Sequence, residues 1–352
     1  MLSLFSTHLF SSTNKKTIFA LKVHRWKRNY IKKVYDEYNW FFIPRFLSIN
    51  VLERIIKNID CAVLVWGYGE NPAISNLCKK LKVPLWRMED GFVRGRGLGA
   101  HRNLPQSLVI DKSGTLYFDC RSRSSLDVLI QTTEPTRDLL KLAQSHINTI
   151  QRSGVSKYNL VPLSNKKTPS RLQTSTKRKI LVIGQVEDDA SIKLSGCGFD
   201  NGMLLNLAHK THPNADIFFK VHPDILAGKR KIKTPMNDIR KIAHLIDSSV
   251  TLKDCFELCD EVFTITSLSG FEALLHGKPV TVAGQPFYSG YGLTNDINPI
   301  TRYTNRKVTI LDIFVCAYML YPDYFDSNSC KRSTLQKTLL SLCTNQDRCD
   351  RL

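Results

Sequence analysis

Short apolar runs that each end in a turn constrain the fold of this chain most strongly. In the first half, Cys61–Trp66 is followed by a glycine turn at 67–69, a helix that begins at Pro72, and a second apolar run at 83–87. Apolar runs bounded by turn residues are typical of buried strands, and proline favours the first turn of a helix. This order predicts a βαβ unit with parallel strands.

The second half repeats this pattern with its own apolar runs, at 179–183, 216–221, 261–264 and 279–283. Helical stretches separate these runs, so each half predicts a doubly wound α/β lobe. Two such lobes predict a glycosyltransferase-B-like architecture, an α/β fold of two Rossmann-like lobes with the site in the interdomain cleft.

The composition along the chain predicts five segments. Residues 165–179 are polar and basic and include a proline, which is typical of an interdomain linker. We expect a basic N-terminal segment at 1–50, an N-terminal α/β lobe at 51–164, the linker at 165–179, a C-terminal α/β lobe at 180–300 and a C-terminal helical segment at 301–352.

The charge balance predicts partners that carry phosphate. The 352 residues include 50 Lys or Arg against 31 Asp or Glu, a formal net charge of +19. Such an excess favours nucleic acid, anionic lipid or phosphorylated small molecules as partners. The stretch 15–33 is densely basic and contains Phe19, Trp26 and Tyr30. It is either a surface for an anionic membrane or an exposed helix face, and the sequence leaves both open.

The cysteines argue against a metal site. There are ten, and none forms a C-x-x-C pair, so we predict no zinc or other metal. The N-terminus lacks the features of an export signal, and no apolar run reaches the ~18 residues of a membrane span. We therefore expect reduced thiols and a cytoplasmic protein that is soluble or peripheral on a membrane.

An acidic cluster follows the apolar run 179–183. Glu187, Asp188 and Asp189 lie within the stretch 184–191, at the carboxyl end of a strand, where open α/β sheets carry their sites. Three adjacent carboxylates repel one another, which favours a functional role. The alternative is a solvated helix N-terminus, where acids are favourable.

Two further strand ends of the second half carry polar groups, and they predict a phosphate site. Hydroxyls and backbone N–H groups at a helix N-terminus bind phosphate, although a serine there can also be only a cap. A carboxylate beside a phosphate site suggests transfer of an activated sugar. The residues are His222, Pro223, Thr266, Ser267, Ser269 and Gly270. In the first lobe, Glu89 and Asp90 precede a glycine- and arginine-rich loop that resembles a ligand loop.

Several ordered blocks together resemble the capsule polysaccharide β-Kdo transferase family of the KpsC type. This chain resembles a member with a single module, whereas many relatives carry two. The blocks that carry the resemblance are 89–92 with 97–99, 184–191, 222–224, 266–275, 286–294, and 321–325.

The resemblance implies a retaining enzyme that transfers β-Kdo from CMP-Kdo to a lysophosphatidylglycerol-type or other glycolipid acceptor in capsule linker synthesis. It implies no cofactor, since CMP-Kdo is the donor substrate. Asp189 would be the nucleophile, Glu187 and Asp188 would position it, and Glu89 or Asp90 would be the general base. The second lobe would hold the donor and the first the acceptor. The donor-binding residues would be Gln185, His222, Pro223, Thr266, Ser267, Ser269, Gly270 and Glu272.

Other readings remain open. The partners implied by the resemblance are the anionic inner membrane and capsule assembly and export proteins, with no nucleic acid. A sialyltransferase-like or other CMP-sugar transferase is the alternative enzyme. A non-enzymatic nucleic-acid-binding protein rests on net charge alone, because the sequence lacks RNP, zinc-finger and helix-turn-helix signals.

Overall fold

The computed structural model describes residues 15–44, 46–96, 103–159, 170–247 and 249–343. The elements of its first half, in chain order, are β1 (Thr17–Leu21), α1 (Arg25–Val34), β2 (Asn39–Phe42), α2 (Ile49–Ile56), β3 (Cys61–Trp66), α3 (Pro72–Leu81), β4 (Leu85–Asp90), β5 (Gly95–Arg96), β6 (Ser107–Asp111), α4 (Ser125–Thr132), α5 (Arg137–Ser153) and β7 (Tyr158–Asn159).

The second half alternates strands and helices in the same way. Its elements are α6 (Ser170–Thr174), β8 (Lys179–Ile183), α7 (Ala190–Ser195), α8 (Asn201–Thr211), β9 (Asp216–Lys220), α9 (Pro223–Leu226), α10 (Met236–Ile242), β10 (His244–Ile246), α11 (Leu252–Leu258), β11 (Glu261–Thr264), α12 (Leu268–Leu275), β12 (Val280–Val282), β13 (Asn295–Asp296), α13 (Ile310–Phe314), a π-helical turn (Val315–Leu320), β14 (Asp323–Tyr324) and α14 (Leu335–Cys343).

Two six-stranded sheets organise the chain. The first has the order β14-β6-β4-β3-β1-β2, and the second has the order β10-β9-β8-β11-β12-β13. All neighbours in the second sheet are parallel, and so are the pairs β2–β1, β1–β3 and β3–β4 in the first. Buried parallel strands read as continuous apolar runs, which is why the sequence predicted β3, β4, β8, β9, β11 and β12. The mixed α/β class with two parallel-rich sheets is therefore confirmed.

The described part of the segment expected at 1–50 is not separate from the first lobe. β1 and β2 are strands of the first sheet, and α1 packs against it. β1 lies between β2 and β3, and its first four residues are buried. α1 packs Tyr30, Ile31 and Val34 on the sheet and turns most of its cations outward. Residues 1–14 of that segment lie outside the described residues.

The C-terminal segment expected at 301–352 is also not separate. β14 pairs antiparallel with β6 of the first sheet, although it follows the whole second sheet in sequence. α13 and α14 both pack against α5 of the first half. The chain therefore crosses back, and its last described elements join the two lobes.

Part of the expected linker packs on the second lobe. Residues 165–169 lie outside the described residues, while α6 follows directly. Leu172 of α6 is buried, and Arg171 forms an ion pair with Asp216 at 2.8 Å. The second lobe thus begins at α6 rather than at residue 180.

Aromatic side chains pack between the lobes. Phe92, two residues beyond β4, lies with its ring centre 4.6 Å from Tyr117, 5.2 Å from Phe287 and 5.3 Å from Tyr318. All four belong to one apolar cluster that draws on both halves of the chain. Across the described ranges, no helix is both long and apolar enough to cross a bilayer.

Close packing at the start of α12 gives the first testable prediction. A Cβ on Gly270 would lie 2.8 Å from Cγ2 of Thr264 and would also collide with the hydroxyl of Tyr288. We expect Gly270→Ala to lower the free energy of unfolding by about 1–3 kcal/mol, because an added methyl must displace buried neighbours. Urea unfolding measures this change.

Gly202→Ala is the matched control, since a Cβ there has its nearest contact at 3.2 Å from Thr234 Cγ2. Alanine also favours a helix over glycine by about 0.5–1 kcal/mol, so this variant should stay within ~1 kcal/mol of the wild type. Equal stability of the two variants would contradict the packing role of Gly270.

Candidate active site

A cleft of about 1140 Å³ lies between the carboxyl ends of the two sheets. The first lobe contributes residues that follow β3 and β4, and the second contributes those that follow β8, β9 and β11. Of the residues proposed from the sequence, the cleft brings together Glu89, Gln185, Asp188, Asp189, His222, Pro223, Thr266, Ser267, Ser269 and Glu272. It does not bring in Asp90, Glu187 or Gly270.

Gln185 ties two strand ends together. Its side-chain oxygen accepts a hydrogen bond from the Thr266 backbone N–H at 2.8 Å, and its Nε2 donates to Thr266 Oγ1 at 3.1 Å. Its backbone is held from the other side by the Asn201 side chain. Gln185 therefore fixes the ends of β8 and β11 relative to each other and shapes the cleft wall.

Glu187 is a structural clamp and not a group of the cleft. Its carboxylate is buried and accepts hydrogen bonds from the Asn201 backbone N–H at 3.0 Å and from Thr234 Oγ1 at 2.8 Å. The backbone N–H groups of Lys233 and Thr234 also donate to it. These bonds fix the loop before α10 to the start of α8, so the catalytic role expected for Glu187 is not supported by its placement.

Asp188 faces solvent at the rim of the cleft. Its carboxylate lies 2.7 Å from the Arg230 guanidinium, and this hydrogen bond lowers the pKa of Asp188. A carboxylate held by an exposed arginine remains ionised, and the charge of the arginine offsets part of its negative charge. Asp188 thus contributes charge balance at the rim.

Asp189 caps the short helix α7. Its Oδ1 accepts hydrogen bonds from the Ser191 backbone N–H and the Ser191 hydroxyl, both at 2.9 Å. These two bonds fix one carboxylate oxygen, and the side chain lines the cleft. The arrangement holds the carboxylate in one orientation, which suits a group that must meet a reacting carbon.

His222 presents one defined nitrogen. Its Nδ1 accepts a hydrogen bond from the Asp224 backbone N–H at 3.1 Å, so Nδ1 carries no proton and the neutral ring is protonated at Nε2. Burial lowers the pKa of His222 below its usual value. At neutral pH the side chain is therefore a hydrogen-bond donor through Nε2. Pro223 occupies the first position of α9 and lines the same wall.

The N-terminus of α12 opens on the cleft. Ser267 is the N-cap, and its hydroxyl accepts a hydrogen bond from the Ser269 backbone N–H at 3.1 Å. Thr266, Ser267 and Ser269 line the cleft, while Gly270 is buried behind them against Tyr288. The positive end of the helix dipole favours an anion at this position. Gly270 serves close packing rather than contact with a ligand.

Glu272 is a buried carboxyl that lines the cleft one helical turn further on. Its Oε1 accepts a hydrogen bond from the Lys157 backbone N–H at 3.1 Å. Burial raises the pKa of Glu272 to about 7, against the opposing effect of Lys157. The carboxyl is therefore partly protonated at neutral pH.

Glu89 and Asp90 of β4 occupy different environments. Asp90 forms ion pairs with Lys27 at 3.0 Å and Arg94 at 2.7 Å. Burial opposes its ionisation, but the two cations outweigh burial and hold the pKa of Asp90 below its usual value. Glu89 lines the cleft, and burial together with the Asp90 charge raises its pKa to about 7. Of these two, only Glu89 can act as a base in the cleft near neutral pH.

Lys157 is a cleft residue that the sequence analysis missed. Its ammonium lies 3.4 Å from the Tyr117 hydroxyl, and its charge acts on Glu89, His222 and Glu272. It precedes β7 in a polar stretch with no motif, so only the pairing of β7 with β5 places it there. The positive charge of Lys157 therefore acts on one carboxyl of each lobe, Glu89 and Glu272.

Comparisons with known proteins show the family and the fold of this chain. The family described as "Capsule polysaccharide biosynthesis protein" matches residues 61–324. The lipopolysaccharide-processing protein LpsZ of Rhizobium meliloti is 37% identical over 341 residues, which cover 95% of this chain and 76% of LpsZ. The capsule polysaccharide modification protein LipA of Neisseria meningitidis serogroup A is 35% identical over 87% of this chain. The match spans only 42% of LipA.

Two solved structures from Thermosulfurimonas dismutans share the fold. The KpsC β-Kdo 2,7 transferase has a TM-score of 0.72 at 30% identity, covering 94% of this chain and all of that chain. The KpsC β-Kdo 2,4 transferase has a TM-score of 0.77 at 27% identity, covering 94% of this chain and 98% of that chain.

The fold and the cleft define a two-lobed α/β protein whose cleft is lined by residues of both lobes. The chain belongs to the capsule polysaccharide biosynthesis protein family, and the KpsC-type resemblance found in the sequence is confirmed. In the part of the chain that the structure describes, no group of three or more His, Cys, Asp or Glu is placed to hold a metal ion.

The buried carboxyl of Glu272 gives a pH-dependent prediction. Its native pKa of about 7 lies above the value of about 4.3 for an unfolded glutamate, so at intermediate pH the native state binds a proton that the unfolded state has released. The Glu272 contribution to stability is therefore lost as pH rises from about 4.5 to 7. Relative to wild type, Glu272→Gln should gain roughly 1–3 kcal/mol between pH 5 and pH 8, measured by urea unfolding.

Glu257→Gln is the control, since the Glu257 side chain is 54% exposed and pairs with Lys253, one turn away on α11. Its stability difference from wild type should not change with pH over this range. The same flat profile for Glu272→Gln would show that Glu272 is ionised in the native state throughout.

Proposed function

We propose that this protein is a retaining glycosyltransferase that moves β-Kdo from CMP-Kdo to a lipid-linked acceptor of the lysophosphatidylglycerol or Kdo-glycolipid type, in capsular polysaccharide linker synthesis. In this proposal the two lobes form a glycosyltransferase-B-like pair. The observation that carries it is the meeting of Asp189, His222 Nε2 and the α12 N-terminus in one cleft. The family and the KpsC transferase structures support it.

The second lobe holds the donor. The phosphate of CMP lies at the N-terminus of α12, where backbone dipoles favour negative charge, and His222 donates to it through Nε2. Gln185 and Thr266 keep this wall rigid by their mutual hydrogen bonds. Glu272 and Pro223 also line this donor site.

The first displacement uses Asp189. Its carboxylate attacks the anomeric carbon of the sugar, a carbon–oxygen bond forms to the enzyme, and the bond from that carbon to the CMP phosphate oxygen breaks. The electron pair of the broken bond leaves with CMP, whose negative charge is stabilised by the helix terminus and His222. A monophosphate leaving group carries less charge than a diphosphate, so we propose that the transfer requires neither a metal nor another cofactor.

The second displacement uses Glu89 from the first lobe, which is the acceptor side. Glu89 removes the proton of the acceptor hydroxyl while the oxygen attacks the anomeric carbon, and the bond to Asp189 breaks. Two inversions give net retention. The pKa of about 7 keeps a usable fraction of Glu89 in the basic form near neutral pH. Asp90, held by Lys27 and Arg94, positions this strand end and does not act as a base.

The wider setting follows from the acceptor. A lipid-linked acceptor places the protein in the cytoplasm at the anionic face of the inner membrane, next to capsule assembly and export proteins. Nucleic acid is not a partner in this proposal. The positive charge of the chain serves the anionic donor and the membrane.

Asp189→Ala tests the nucleophile. The assay follows CMP release from CMP-Kdo with a lysophosphatidylglycerol acceptor, either bare or carrying a first Kdo. We expect the rate of CMP release to fall by at least ~10³-fold, because no covalent intermediate can form. CMP binding, measured by calorimetry, should change less than about threefold. Asp188→Asn is the matched control and should lose less than ~10-fold, since it breaks only the rim pair with Arg230.

Retained turnover by Asp189→Ala would remove Asp189 from this role. A donor panel that includes CMP-sialic acid decides the sugar, because turnover with that donor but not with CMP-Kdo would favour a sialyltransferase-like enzyme.

Glu89→Gln tests the base. Wild-type kcat/KM should fall as pH drops below about 7, because the carboxylate of Glu89 becomes protonated. The variant should have a kcat/KM about 10²–10⁴-fold lower, and this decrease at acid pH should be absent from its profile. Because the first displacement does not need Glu89, a sugar adduct on the peptide that contains Asp189 should accumulate and be visible by mass spectrometry.

Asp90→Asn is the contrasting variant. It should chiefly lose stability, because it leaves Lys27 and Arg94 buried without their shared anion. An unchanged pH profile in Glu89→Gln would assign the base to another group.

A further inference from the structure

An exposed aromatic residue marks one corner of the first lobe. Phe46 follows β2, and 89% of its surface is exposed, the largest exposure of any apolar side chain in the described residues. Its neighbours Ile43 and Leu47 pack on the core beneath it, so the turn is anchored and presents the ring outward. Single exposed apolar side chains are common on protein surfaces, so Phe46 indicates a partner only in combination with the cations of the same lobe.

The part of the chain that precedes this corner is rich in cations. Residues 15–35 contain eight Lys or Arg and no Asp or Glu. On α1, the Arg28 guanidinium lies 5.2 Å and the Lys32 ammonium 5.7 Å from the ring centre of Phe42, the last residue of β2. Lys22 and Arg25 are exposed just before and at the start of α1.

Lys16, just before β1, pairs with Asp60 at 2.6 Å. Within the described residues Lys22, Arg25, Arg28 and Lys32 form no ion pair, while Glu37 and Glu53 pair with Arg332 and Lys80, both at 2.7 Å. Lys27 is the exception within α1, since it is buried on Asp90. The remaining surface, which we call the basic edge, consists of Lys22, Arg25, Arg28, Lys32, Phe42 and Phe46.

The basic edge lies on the same side of the sheet as the cleft. β2, β1 and β3 are parallel neighbours, so their carboxyl ends share one edge. β1 ends just before Lys22, β2 ends at Phe42, and β3 ends at Trp66, which lines the cleft. At about 4.8 Å per strand, the basic edge is roughly 10 Å from the cleft mouth along the sheet.

We infer that the basic edge docks on an anionic lipid bilayer, with Phe46 inserted at the headgroup boundary and the cations on the lipid phosphates. Exposed aromatic side chains flanked by lysine and arginine suit this interface, and the sequence lacks the motifs of nucleic-acid-binding modules. Docking in this way turns the cleft mouth toward the membrane surface. The inference rests on the proposed function only for the lipid-linked acceptor that this orientation serves.

The test is co-sedimentation of the full chain with vesicles of phosphatidylcholine alone or with 30% phosphatidylglycerol. We expect binding only to the anionic vesicles. Lys22→Ala with Arg25→Ala should weaken it about 10–30-fold, at about fivefold per basic residue near the surface, and Phe46→Ser about fivefold or more. Circular dichroism confirms that each variant is folded.

The matched controls change equally exposed groups elsewhere. Tyr303→Ser, at a side chain that is 79% exposed after the second sheet, and Arg137→Ala with Arg152→Ala on α5 should bind vesicles as the wild type does. Equal vesicle binding by the basic-edge variants and the wild type, or binding of a 20-base-pair duplex DNA without vesicle binding, would overturn the inference.

Transfer to two acceptors separates this inference from the proposed function. The basic-edge variants should keep turnover with a water-soluble, short-chain acceptor and lose it with an acceptor embedded in vesicles. If no acceptor reacts in any variant but vesicle binding follows the pattern above, the proposed function fails and the docking surface stands. If the wild type transfers and the variants match it on both acceptors, the docking surface fails alone.

Discussion

The aromatic contact between the lobes sets the distance between the two walls of the candidate site. The proposed second displacement uses Glu89 of the first lobe on a sugar held by Asp189 of the second, so the separation of these two carboxyls must be fixed. Phe92 follows Glu89 by three residues and packs on Phe287 of the second lobe and Tyr318 of the returning chain. Burial of such rings stabilises an interface by apolar area and by ring geometry together. The same contact that joins the lobes therefore places the strand end that carries the proposed base.

Within this frame, environment gives similar carboxyls different properties. Glu187 is saturated by backbone N–H groups, Asp90 is held by two buried cations, and Asp188 by an exposed arginine. Glu89 and Glu272 are buried, and burial raises the pKa of each carboxyl to about 7. Separation of carboxyl roles by desolvation and charge is a general way to run acid and base steps in one site.

The sequence predicted the parts of this protein that depend on local pattern. The apolar runs placed the strands, and the strand ends brought Gln185, His222 and Ser267 into one cleft. Only the family resemblance separated Asp189 from Glu187, because the turn after β8 decides which carboxylate faces the cleft. The strands β1 and β2 were not predicted, because the many cations of α1 indicated a basic surface segment. These two short strands join the sheet through the pairing of β1 with β3. Lys157 carries no motif and is placed by long-range pairing alone.

The two buried carboxyls with pKa near 7 also couple the cleft to protons. An anionic molecule that enters beside Glu89 and Glu272 disfavours their charged forms, so it raises the pKa of both groups and draws protons from solvent. Affinity for an anion must then weaken as pH rises across neutrality, and the heat of binding must vary with the ionisation enthalpy of the buffer. For the proposed anionic donor, the occupant of the cleft therefore helps to set the protonation state of the two carboxyls beside it.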